Sequence, residues 1–162
     1  MTDATRVTES ATVGRQARIL HLSLLGGVLL FAAVAFVLSR SGTVPLVPDL
    51  PFDARLLLWL WVGFALMSAI AAIAFWRMRV DPMLGDRAAG SAPAGTTERA
   101  ARLLSSLIVC WALVEAPCLL GLVLFMLSGD GNFFAYAIVF ALLGFAIAAP
   151  RTDWFRADGP RR

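Results

Sequence analysis

Four side chains here have the chemistry to matter in an apolar setting: Glu115, Cys110, Cys118 and His21. Glu115 stands inside LLSSLIVCWALVEAPCLLGLVLFML, residues 103–127. At about 1.5 Å per residue it lies roughly 18 Å from Leu103, near the middle of a hydrocarbon layer about 30 Å thick. No other acidic or basic residue is placed so deep. A carboxyl at that depth has two uses. It carries a proton or cation, or it stays protonated and fixes helix packing through a hydrogen bond. Pro117, two residues on, has no N–H and leaves the carbonyl of Leu113 without its helical donor. That carbonyl, Ser68 and Tyr136 are the expected neighbours of Glu115.

The remaining candidates offer less. Cys110 and Cys118 are separated along one helix by about 12 Å of rise, too far to form a disulfide with each other. They read as small apolar residues. His21, the only histidine, is expected about one turn inside one membrane face, an interfacial polar side chain at the depth of Ser23, Ser105 and Ser106. A lone histidine makes no metal site. Nucleophilic catalysis needs a serine or cysteine within reach of a base, and no such grouping is legible. The chain therefore reads as a non-enzyme without metal or cofactor.

These residues need membrane helices to position them. Of 162 residues, 59% are hydrophobic and 15% charged, and the mean hydropathy is +0.78. That is too apolar for an ordinary soluble domain. Residues 19–38 form a first span. The A-x-A of Ala33-Val34-Ala35 does not make it a cleaved signal peptide, because Phe36, Val37 and Leu38 continue the apolar run. Residues 56–75 form a second span, with Trp59, Trp61 and Trp76 expected as interfacial anchors. Residues 103–127 are the third, and residues 133–149, closed by Pro150, the fourth. Glu115 does not prevent insertion of the third. A central charge costs roughly 2.5–3.5 kcal/mol, and the Leu, Ile, Val and Phe residues around it return roughly 4–8 kcal/mol.

Between the spans the composition changes. Residues 1–14, rich in Thr and Ser, are expected to be a disordered tail. Pro45, Pro48 and Pro51 predict an extended or turn connection. Residues 77–97 read as a loop by their Pro, Gly, Ala and Ser content, with the next helix starting at Thr96 or Thr97. Ser128–Asn132 reads as a tight turn, and residues 151–162 as a polar tail. Two stripes of small residues, Ala65/Ser68/Ala69/Ala72 and Ala137/Ala141/Gly144/Ala148, allow close helix approach. They are the expected contacts to a second copy or to a membrane partner.

All the basic side chains are arginine. In a four-span arrangement twelve of the fourteen fall on one side, with Arg40 and Arg55 on the other. The positive-inside rule then puts both termini in the cytoplasm. Arginine that flanks membrane segments is no nucleic-acid footprint, which would cluster on a soluble face. Residues 15–20, RQARIL, echo residues 99–104, RAARLL, which suggests two parallel helical hairpins. In that alignment Phe31 takes the place of Glu115.

Ala112-Leu113-Val114-Glu115-Ala116, followed by Gly121-Leu122-Val123, resembles the carboxylate helix of rotary-ATPase proteolipids. That resemblance implies an ion-carrying role for Glu115. Alanines stand in the second span where that family carries a glycine ladder, and the acid lies on the third span, not the last. The whole chain more closely resembles small bacterial four-helix membrane proteins, which implies a multi-pass protein of a bacterial plasma membrane. The expectation is an all-α four-helix transmembrane bundle, N-in and C-in. Its expected role is that of a non-enzymatic accessory or structural component, the alternative being a small proton- or ion-coupled transport component built on Glu115.

Overall fold

A computed structural model describes residues 3–44, 53–88 and 96–155. Most of those residues are helical, with no strand among them. The helices are α1 (Asp3–Arg40), α2 (Ala54–Phe75), α3 (Asp81–Ala88), α4 (Thr96–Ser128) and α5 (Gly131–Ile147). A π-helical turn, Trp76–Val80, joins α2 to α3, and a 3-10 turn, Thr152–Phe155, follows α5. Stretches of α1, α2 running through α3, and α4 are long and apolar enough to cross a membrane. α5 is apolar and shorter, about 25 Å at helical rise.

Helix α4 is the centre. α1, α2 and α5 all pack on it. In its most apolar stretch 44% of residues are buried, against 17% in those of α1 and α2. α4 and α5 form one antiparallel hairpin, turned at Gly129, whose φ of 73° suits a glycine closing a helix. α1 and α2 do not form the matching second hairpin. Each lies against α4, with little contact between them.

The interior and surface are composed as lipid demands. Much of the interior is small: Ala17, Ala32, Ala35, Ala65, Ala137, Ala141 and Ala148 are all buried. Many large apolar side chains point outward, with Ile147 82% exposed and Leu30 68% exposed. In water such a surface would aggregate. In a bilayer it is the solvated face, and small residues supply the close packing between helices.

Three segments depart from the sequence expectation. Residues 3–14 continue α1 and are not a disordered tail. Once a helix is nucleated each added residue gains a hydrogen bond, and Gly14 lies against buried Phe155. Residues 77–88 are helical too, not loop. Val80 is fully buried, with Met83 and Leu84 beside it at i+3 and i+4, so this stretch carries an apolar face. Pro82 follows the π turn, where the Asp81 N–H donates to the Trp76 carbonyl. Such a bulge lets a chain meet a proline without ending. The polar tail is pinned at its start, with Phe155 buried and Trp154 edge-on to Trp76.

α4 starts at Thr96, and the starts of α2 and α5 are capped in the ordinary way by Asp53 and Asp130. Asp53 accepts from the Arg55 N–H and Asp130 from the Asn132 N–H. Pro45, Pro48 and Pro51, residues 89–95 and residues 156–162 lie outside the described residues.

Candidate functional site

The middle of α4 is built by Pro117 and Gly121. Trp61 of α2 is buried, and its indole N–H donates to the Pro117 carbonyl at 2.8 Å. A carbonyl has two lone pairs, so this bond can coexist with the helical one. Gly121, one turn on, makes the approach possible. A Cβ there would stand 2.8 Å from Trp61 Nε1 and 2.9 Å from the Ala137 Cβ. Trp61 is thus packed inside the chain, whereas Trp59 is 71% exposed. Tyr136 stacks on Trp61, ring centroids 6.3 Å apart. Ser68, two turns from Trp61, is buried on the same face of α2.

These residues define the α2 side of α4, and Glu115 is not on it. Pro117 is two positions on from Glu115, about 200° around the helix. Glu115 shares its flank with Trp111, Leu119 and Leu122, at i−4, i+4 and i+7. Leu122 and Trp111 belong to the core cluster that includes Val28 and Ala32 of α1. Glu115 is partly exposed at the edge of that seam. Among the described residues it has no hydrogen-bond partner. The expected grouping with Ser68 and Tyr136 is therefore not formed, because both sit on the opposite flank. Pro117 matters through its own carbonyl; among the described residues no side chain reaches the carbonyl of Leu113. Cys118 is buried and its thiol donates to the Val114 carbonyl at 3.0 Å.

His21 is 7% exposed, enclosed by its own chain and not open to headgroups. Its ring lies 5.2 Å from that of Trp111 and 5.4 Å, edge-on, from that of Phe145. Its Nδ1 is buried with no hydrogen-bond partner among the described residues. Trp111 is fully buried, and its indole N–H bridges to the Ala148 carbonyl at 3.0 Å, just past the end of α5. The serines expected at that depth serve their own helix. Ser105 donates to the Ala101 carbonyl and Ser106 to that of Arg102.

Both small-residue stripes are used inside the chain. Ala137, Ala141 and Ala148 are buried, and a Cβ on Gly144 would fall 2.4 Å from Val114 Cγ1. Ala65 and Ser68 are buried on the second stripe. The stripes join α5 and α2 to α4, so a partner would have to meet other faces.

Sequence reasoning missed the two buried indoles. Their signal was present in retrospect: Trp61 stands at i−4 to the small residue Ala65, and Trp111 falls among the buried positions of α4 at Leu107, Val114 and Cys118. No family model, curated protein or solved structure matches the chain.

Proposed function

We propose that this chain is a four-pass plasma-membrane protein of a bacterium, with both termini cytoplasmic, that acts as a non-enzymatic accessory component by assembling with a second membrane subunit. The single observation carrying this is the position of Glu115. It lies at membrane depth, partly exposed at the α1–α4 seam, with no polar partner in its own chain among the described residues. An unpaired polar group in hydrocarbon favours an interface that supplies a partner. The two buried indole bonds within the chain, Trp61 to Pro117 and Trp111 to Ala148, do not involve it.

The test is the mass of the protein purified in mild detergent. An assembly larger than one chain is expected, retained by Glu115→Gln and weakened by Glu115→Leu. A single chain at every concentration would refute the reading. The weakening is modest, since interhelical side-chain bonds in membranes average roughly 0.6 kcal/mol.

The exposure of the same carboxyl favours a second reading, a proton- or ion-coupled component. Under it, wild-type protein in sealed vesicles dissipates an imposed pH gradient, whereas a folded Glu115→Gln variant does not. Equal behaviour of the two would remove this reading and leave assembly standing.

A further inference from the structure

The Arg-rich end of the bundle carries a groove of about 650 Å³ between the π turn with α3 on one side and the start of α4 on the other. Its two ends differ in chemistry. Arg79 and Arg102 line the end near the start of α4, and Phe75 and Val109 line the deeper end, with Met83 on the α3 side. From Glu98 to Val109 the α4 wall runs about 16 Å. The groove thus leads from guanidinium groups down into the apolar part of the bundle.

The charge balance is specific. Glu98 is in the groove and is paired with Arg102 on the following turn. Arg79 has no ion-pair partner among the described residues, which leaves the groove one net positive charge. The π turn places Arg79 there. Its extra residue shifts the register between α2 and α3, and bulges of this kind recur where a side chain is aimed at a ligand.

We propose that this groove is a binding site for an anionic glycerophospholipid, with the singly charged phosphodiester at Arg79 and Arg102 and one acyl chain along Phe75 and Val109. Basic pockets between helices at the positively charged face suit such headgroups. A guanidinium offers paired donors to phosphate oxygens. The apolar deep end has no use for a soluble anion, and that separates a lipid from free phosphate.

The experiment is equilibrium binding of a fluorescent-tailed phosphatidylglycerol to the full chain in dodecyl maltoside micelles. Unlabelled phosphatidylglycerol, phosphatidylcholine and glycerol phosphate serve as competitors. Phosphatidylglycerol is expected to compete best and glycerol phosphate not at all. Arg79→Gln is expected to weaken binding roughly fivefold, the weight of one basic residue at an anionic site. Arg77→Gln, on the same turn but outside the groove, should leave it unchanged. Val109→Trp, which fills the deep end, should weaken binding with Arg79 intact. Arg79 is exposed and unpaired, so its variant should unfold at the wild-type temperature without lipid. Equal competition by phosphatidylcholine or by glycerol phosphate would overturn the proposal. So would equal losses in the Arg77 and Arg79 variants, or wild-type binding by Arg79→Gln.

Discussion

Gly144→Ala tests how closely α5 lies against α4. The new Cβ would fall 2.4 Å from Val114 Cγ1 and 3.2 Å from its Cγ2. Carbon atoms prefer separations of about 3.5–4.0 Å, so something must move by about 1 Å. Val114 has little freedom to turn away, because a valine in a helix strongly prefers one rotamer. Overpacking of this kind costs about 1–3 kcal/mol, and the stiff neighbour puts this site near the upper end. The better helix propensity of alanine returns up to about 1 kcal/mol. A net loss of about 1–2 kcal/mol is expected in unfolding titrations in mixed detergent micelles. The three nearest neighbours of the new Cβ are all atoms of Val114, which makes a rescue possible. Val114→Ala alone should cost about 1–2 kcal/mol for its lost methyls. In the double variant the Val114 Cβ remains at 3.4 Å, an ordinary contact. The two losses should therefore fail to add by at least about 1 kcal/mol. Additivity within about 0.5 kcal/mol would refute the close approach.

Gly121→Ala should destabilise by about 1–3 kcal/mol, and Trp61→Phe, which removes the indole donor to Pro117, should relieve part of that loss; a Gly121→Ala variant as stable as wild type would show that the indole does not lie there. His21→Phe should leave thermal unfolding in detergent unchanged or raise it, because a buried polar atom without a partner is removed and the aromatic packing with Trp111 and Phe145 is kept. A large fall in the unfolding temperature would mean that His21 has a polar partner in the folded protein.

The elements were legible because a membrane span is written in length and hydropathy. The helical nature of residues 19–38, 56–75, 103–127 and 133–149, and the Gly129 turn, follow from composition alone. Which face of each helix points inward is not written that way. In lipid both faces are apolar, so hydrophobic periodicity carries little information, and only the small-residue stripes mark the contacts. Ala137, Ala141 and Ala148 did so correctly, but their partner proved to be α4 of the same chain. The indole of Trp61 reads as interfacial because that is where tryptophan is enriched, and nothing in the sequence marks Trp111 as a donor. Both instead donate to backbone carbonyls, and one of these bonds depends on a glycine 60 residues away in sequence. Glu115 was recognised as the one deep acid, but its neighbours were not, because Pro117 and Trp61 fix α2 on the flank it does not face. His21 reads as an interfacial polar side chain about one turn inside a membrane face, and the aromatic pocket around it is assembled only by the fold.

In the proposed arrangement the chain crosses the membrane four times around α4, and cysteine labelling from outside the cell tests that most directly. In a background with Cys110 and Cys118 replaced by alanine, a membrane-impermeant maleimide should reach Pro48→Cys and Gly131→Cys. It should not reach Gly90→Cys, Gly14→Cys or Arg162→Cys until the membrane is opened. Gly131 is well suited, since a side chain there meets nothing within 4 Å. Labelling of Gly90→Cys in intact cells, or protection of Gly131→Cys, would contradict the arrangement.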